Sequence, residues 1–212
     1  MIKIHTFIFN DFGVNSYLLF DETNEAIIID AACYTAAEKK ELSAYIESKK
    51  LKIVRQLDTH CHIDHILGNS FIEDTYGIGL QIHPDSEELL RMAIGYASVF
   101  GFEPDRIVKP KGFVNDGDKI KFGNSELEVL HTPGHANGSI CFLNREQKFV
   151  LTGDVLFNKS IGRTDLPGGD YDTLISSIRE KLMVLDDATK VLCGHGPSTT
   201  IGSEREDNPF LR

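Results

Sequence analysis

The segment THCHIDH, Thr59–His65, constrains this chain more than any other. It sets His60, His62, Asp64 and His65 within six residues, directly after the strand-like run LKIVRQLD, although only eight histidines occur among 212 residues. Alternate side chains of an extended backbone share one face, so His60 and His62 aim one way and Cys61 the other. Asp64 and His65 follow from the turn at which a helix is expected to begin, near His65. One short peptide thereby offers donors to two neighbouring ions, with Cys61 a small buried side chain beneath them.

Three further candidate donors each end a strand-like run beside glycine: His135 in HTPGHANGS, Asp154 in VLTGDVLF and His195 in VLCGHGPS. Glycine there permits a sharp turn and leaves room for an ion or a substrate. Five histidines and two aspartates suffice to hold two borderline divalent ions with an open position on each. Asp58 is a candidate acceptor for orienting an imidazole, and His131 a weaker candidate for a supporting role. His5 and His83 read as surface or capping groups.

Periodicity around these segments sets the fold class. IKIHTFIF, NSYLLF and EAIIID alternate as strands of an antiparallel meander, and Thr35 with Glu38 has capping-box spacing ahead of the helical AAEKKELSAYIESKK. A helix to about Tyr76, a strand at GLQIH and a helix from Pro84 to about Phe100 come next. In the second half ELEVLHT, GSICFL and KFVLTG read as strands, YDTLISSIREKL as a helix with Leu174, Ile175, Ile178 and Leu182 on one face, and TKVLCG as a closing strand. Two strand-rich halves that each end in helix predict an α/β protein, an αββα sandwich of two mixed sheets flanked by helices, as one domain over residues 1–212.

Composition narrows the function. A net charge of −10 and the lack of any dense Lys/Arg block exclude nucleic acid as a general partner. No window approaches the roughly 18 uninterrupted apolar residues of a spanning helix, and the amino terminus lacks a basic segment followed by a long apolar one. Cys33, Cys61, Cys141 and Cys193 are widely spaced, which fits reduced thiols. The expectation is a cytoplasmic protein with a small-molecule substrate and no membrane partner.

THCHIDH, TPGHANGS, TGDVLF and GHGPSTTIG together resemble the metallo-β-lactamase-fold hydrolases, and within them the short glyoxalase II-like (hydroxyacylglutathione hydrolase-like) branch, from about Phe7 to the end of the chain. The resemblance implies that His60, His62 and His135 hold one metal, that Asp64, His65 and His195 hold the other, and that Asp154 bridges them. Zinc is the first choice, and iron or manganese also suits His and Asp donors. Full-length glyoxalase II proteins carry a helical carboxy-terminal domain with much of the glutathione-binding surface. With only SEREDNPFLR after the last candidate donor segment, this sequence resembles the shorter branch, and glutathione specificity is not expected to follow from the fold alone.

The chemistry implied is hydrolysis of a thioester such as S-lactoylglutathione, with Asp64 and Asp154 the catalytic carboxylates that hold the ions and metal-bound hydroxide the nucleophile. Coordination lowers the pKa of water from about 15.7 toward roughly 7 and polarises the carbonyl under attack. Two divalent ions outweigh two carboxylates, so an acidic protein can still attract an anionic substrate. Arg163 or Lys159, in NKSIGRTDLPGGDYD, could meet a substrate carboxylate, although an Arg163–Asp165 pair that holds the loop is favoured. Tyr96, Phe100 and Phe102 could wall the pocket. The principal rival is a persulfide dioxygenase of the same superfamily with a single iron ion, held at the first site with His135 and Asp154. A binding protein with structural ions is a third reading, disfavoured because closed structural sites prefer four protein ligands and cysteine.

Overall fold

Alternation of buried side chains explains the architecture. In the computed structural model, which describes residues 1–104 and 106–212, the first sheet has the order β1–β2–β3–β4–β5–β6. Its strands are Lys3–Phe9, Val14–Phe20, Glu25–Ile29, Lys52–Leu57, Leu80–Ile82 and Gly112–Phe113. The first three form the expected antiparallel meander, and β3 to β6 are parallel. The second sheet contains β7 (Lys119–Phe122), β8 (Ser125–His131), β9 (Ile140–Asn144) and β10 (Phe149–Gly153). A small hairpin, β11 (Leu156–Phe157) and β12 (Ser160–Ile161), follows, and β13 (Lys190–Cys193) and β14 (Thr199–Thr200) complete the sheet in the order β14–β13–β10–β9–β8–β7.

Central strands are buried on both faces and each face has its own core. Tyr17, Leu19, Ile27, Ile29 and Leu57 meet Val129, Phe142 and Leu151 between the sheets. Their neighbours one residue along, Leu18, Phe20, Ala26 and Ile28, turn outward against Leu42 and Ile46 of α1 (Ala36–Lys49) and Ile72 of α2 (Asn69–Tyr76). On the other outer face Cys141, Leu143 and Val150 meet α4 (Tyr171–Ser177), its π-helical continuation Ile178–Leu182, and Ile201 of α5 (Ile201–Asp207). α3 (Glu87–Ala97) packs Leu90, Ala93 and Ala97 over β5. The predicted αββα sandwich is the observed fold.

The capping box at Thr35 is present, Thr35 Oγ1 accepting from the Glu38 N–H at 3.2 Å and Glu38 Oε2 from the Thr35 N–H at 2.8 Å. The expected helix from His65 is corrected: Ile63–His65 forms a single 3₁₀ turn, and α2 begins only at Asn69. The turn directs Asp64 and His65 to the same side as the preceding histidines. The last predicted strand is not the last element, because β14 and α5 follow β13. No described helix is long and apolar enough to cross a membrane.

Strand direction positions the donors. β8, β9 and β10 are successively antiparallel and β10 is parallel to β13, so β8, β10 and β13 run the same way. Their carboxy-terminal ends, which carry His135, Asp154 and His195, therefore line one edge. Backbone bonds tie the first sheet to that edge: the Thr59 carbonyl accepts from the Ile140 N–H at 2.9 Å, and the Gly194 carbonyl from the Asn15 N–H at 2.7 Å. Phe142, fully buried between the sheets, is the corresponding test of the sandwich. Phe142→Ala is expected to cost about 3–5 kcal/mol, read as a lower midpoint in urea unfolding.

Candidate metal centre

Every donor singled out in the sequence arrives in one pocket. His135 Nε2 lies 2.9 Å from His62 Nδ1 and 3.3 Å from His60 Nε2. His65 Nε2 lies 3.2 Å from His195 Nε2, 3.7 Å from Asp64 Oδ2 and 3.4 Å from Asp154 Oδ1. His195 Nε2 is 3.3 Å from Asp64 Oδ2 and 3.4 Å from Asp154 Oδ2, whereas His135 Nε2 is 3.8 Å from Asp154 Oδ2. Among the described residues of this pocket three groups emerge, each with donor atoms within 4.8 Å of one another: His60, His62 and His135; Asp64, His65 and His195; and His60, His65 and Asp154. The Asp154 carboxylate stands between the first two.

Hydrogen bonds on the far side of the rings fix which nitrogen faces inward. His135 Nδ1 bonds the Arg163 carbonyl at 2.8 Å and His195 Nδ1 the Phe12 carbonyl at 3.0 Å. A carbonyl only accepts, so both Nδ1 atoms carry a proton and both Nε2 atoms face the pocket. His65 Nδ1 reaches Asp30 Oδ2 at 3.1 Å. Thr59 Oγ1 donates to Asp30 Oδ2 at 2.7 Å, which leaves it as the acceptor for His60 Nδ1 at 3.1 Å. His62 is reversed, its Nδ1 inward and its Nε2 buried without a partner.

Two glycines make the convergence sterically possible. Gly153 turns the chain at the end of β10 with φ +48°, and a Cβ there would strike the Thr59 side chain. At Gly194 a Cβ would strike Asp154 Oδ1 and lie 3.0 Å from His65 Cε1.

Burial and neighbouring charge divide the histidines into two classes. Burial, reinforced by His65 and His135, holds His60 well below the usual imidazole range, and burial with His135 pushes His62 down to about 3. Burial also lowers His135, against the pull of Asp154. Burial would lower His65 too, but Asp154 and Asp64 override it and hold it well above its usual value. His195 responds in the same sense, burial being outweighed by hydrogen bonds to Asp154 and Asp64, and reaches about 9. Burial opposes ionisation of Asp154, yet His65 and His195 keep its carboxyl well below the ordinary range.

These residues fit a pair of divalent ions. Neutral imidazole lone pairs converging to about 3 Å repel one another unless a cation or a shared proton lies among them, and Asp154 Oδ1 is buried with no hydrogen-bond partner among the described residues. Imidazole nitrogen with carboxylate oxygen is the donor chemistry of zinc, iron and manganese. The sequence profile of the metallo-beta-lactamase superfamily matches residues 9–195.

The chain belongs to that superfamily. It is similar to the hydroxyacylglutathione hydrolase GloC of Haemophilus influenzae, 38% identical over 207 residues that span 94% of this chain and 93% of GloC. The structure of BLEG-1, a B3 metallo-beta-lactamase, superposes with a TM-score of 0.88 at 33% identity and covers 100% of this chain and 99% of that one. That of TTHA1623 in a di-iron-bound form superposes with a TM-score of 0.85 at 31% identity, covering 98% and 100%.

Beside the cluster lies a cavity of about 370 Å³. His62, Asp64, His135, Asp154 and His195 form its floor, and Tyr96 and Phe100 its wall, as the sequence suggested. Phe102 does not line it; that ring is buried against Phe12 and Tyr34. Arg163 does line it, but its guanidinium makes two 2.7 Å bonds to Asp165, the loop-holding pair that was favoured. Lys159 is outside, its Nζ 3.1 Å from Asp207. Cys61 is buried in an apolar cluster at the cavity edge, and burial raises its thiol well above the usual value.

Asp58 turns away from the imidazoles to accept from Asn69 Nδ2 at 2.6 Å. The carboxylate that orients an imidazole is instead Asp30, which also accepts from the Thr59 N–H at 2.6 Å. Its signal in the sequence was a lone aspartate closing the apolar run EAIIID. His83 caps its turn by accepting from the Asp85 N–H at 3.2 Å, and His131 stacks on it with ring centroids 3.9 Å apart, remote from the cavity.

Two outcomes follow from this geometry. Asp30→Asn removes the charged acceptor behind His65 and is expected to weaken binding of an added divalent ion by about 10–100-fold, read by competition with a chromophoric chelator. After chelation, the His62 contribution to stability is whole above the unfolded value of 6.5 and is lost as pH falls toward 3, whereas the His195 contribution is whole below 6.5 and is lost as pH rises through about 9. Calorimetry should show Tm of the chelated protein falling between pH 6.5 and 9, and excess zinc, which takes the place of the His195 proton, should abolish that fall.

Proposed function

We propose that this chain is a metal-dependent thioesterase of the hydroxyacylglutathione hydrolase kind, working with two divalent ions. The observation that carries the reading is the Asp154 carboxylate, 3.8 Å from a nitrogen of the first histidine group and 3.4 Å from nitrogens of both histidines in the second. His60, His62 and His135 would hold one ion, Asp64, His65 and His195 the other, and Asp154 both. Bound there, the ions would supply Lewis-acid polarisation of a carbonyl and a water acidic enough to ionise near neutral pH.

The chain's own residues do the rest. Asp30, Thr59 and the carbonyls of Phe12 and Arg163 hold the imidazoles in the orientation their donors need. The wall beside the floor keeps bulk water from the reacting carbonyl, and the low dielectric behind it strengthens every charge interaction at the floor. Likeness to GloC over nearly the full length supports a thioester as substrate. Zinc and iron both suit the donors, and the di-iron form of TTHA1623 keeps iron in view. Four free, buried cysteines support a reducing compartment such as the cytoplasm.

The test combines elemental analysis with turnover of S-lactoylglutathione and related thioesters. Two metal equivalents per chain are expected, with hydrolysis lost on chelation and restored by added metal. Asp154→Asn should lower kcat on the order of 10²–10³-fold. One iron per chain with oxygen uptake on glutathione persulfide would establish the dioxygenase instead.

A further inference from the structure

We propose that the cavity selects thioesters by an uncharged apolar group lying along α3, and does not recognise the charged peptide of glutathione. This rests on the thioesterase reading and names the substrate class of that same site. Leu89, Ala93, Tyr96 and Phe100 recur at spacings of three and four and so form one stripe of α3 and the turn after it, and all four face the cavity. Val99 and Phe12 extend the stripe at the rim, where they are 75% and 46% exposed. Leu166 and Pro167 face them from the loop after Asp154.

An apolar ligand that covers this surface gains about 25 cal/mol per Å² removed from water, whereas a charged one buried there without a partner loses its hydration for nothing. Glutathione carries two carboxylates and an ammonium. Among the described residues that line the cavity Arg163 is the one lysine or arginine, and its Nε and Nη2 are spent on the Asp165 carboxylate, which offsets its charge. A net charge of −10 further disfavours a peptide of net negative charge away from the floor. A volume of about 370 Å³ lies at the small end of ligand pockets and suits a hexyl or benzyl group.

The test compares kcat/KM of the metal-replete protein for S-lactoylglutathione, S-hexanoylglutathione and S-benzyl thiolactate. At least one of the last two is expected to exceed the first by about tenfold or more, and Val99→Asp to shrink that ratio at least fivefold. An advantage confined to the hexanoyl compound puts the apolar group on the acyl side, and one confined to the benzyl compound puts it on the thiol side. S-lactoylglutathione as the equal or better substrate would overturn the selection while leaving the thioesterase reading intact. Saturation-transfer NMR with N-hexylacetamide and S-methylglutathione decides the selection without turnover. The acetamide is expected to bind more tightly and to be weakened by Val99→Asp, and tighter S-methylglutathione binding overturns the proposal. Hydrolysis of no thioester, with the acetamide bound as expected, would sink the reaction and keep the apolar selection.

Discussion

A buried carboxylate surrounded by imidazoles is the interaction on which the rest of this structure turns. Asp154 cannot be placed in a low-dielectric pocket unless positive charge is placed there with it, because an unpaired buried ion costs several kcal/mol or more. Its neighbours meet that requirement only if three strand ends from one sheet and a turn from the other reach the same few ångströms. Both sheets must therefore be clamped at this edge, as the bonds from Ile140 to Thr59 and from Asn15 to Gly194 clamp them. The glycines before Asp154 and before His195 serve the same end, since a methyl group would strike Thr59, which backs His60, at the first and Asp154 itself at the second.

Orientation is fixed from behind. Each inward-facing nitrogen of His60, His65, His135 and His195 depends on what the other ring nitrogen touches, and those partners come from four separate parts of the chain: Thr59, Asp30, Arg163 and Phe12. Asp30 keeps a backbone φ of +53°, uncommon for a residue with a side chain, and its carboxylate joins the end of β3 to both Thr59 and His65. The strained residue is thus the one that links the first sheet to the motif, where glycine would relieve the backbone but release the imidazole.

Most of this was legible because the signals were periodic or dense. The apolar runs NSYLLF and EAIIID located strands, but they read as half-buried, whereas successive residues face two different cores and both faces are covered. The histidine segment announced itself by composition alone. What stayed hidden depended on tertiary partners. The two-residue β6, β11, β12 and β14 are too short to show a period, and they exist because a neighbouring strand offers hydrogen bonds. The helix anticipated at His65 fails for a related reason: the local pattern Ile63-Asp64-His65-Ile66 is compatible with helix, but only a tight turn lets both polar side chains enter the pocket. In one dimension Asp58, two residues before His60, is the natural acceptor, and Asp30 carries no such proximity. The parallel pairing of β3 with β4 decides between them, because it puts the end of β3 beside Thr59 and leaves Asp58 facing Asn69.

The same reasoning separates the two walls of the cavity. The floor consists of groups whose positions are over-determined by hydrogen bonds, while the α3 wall consists of side chains held only by helical spacing and contact. A polar floor against an apolar wall concentrates charge at one end of the cavity. Any carbonyl drawn to the floor must bring its substituents along the wall. Reaction type is therefore set by residues the fold cannot change without losing Asp154, and choice of substrate by residues such as Val99, which is mostly in solvent and supports nothing beneath it. A fold arranged this way can keep its chemistry fixed while the stripe on one helix alters what reaches it.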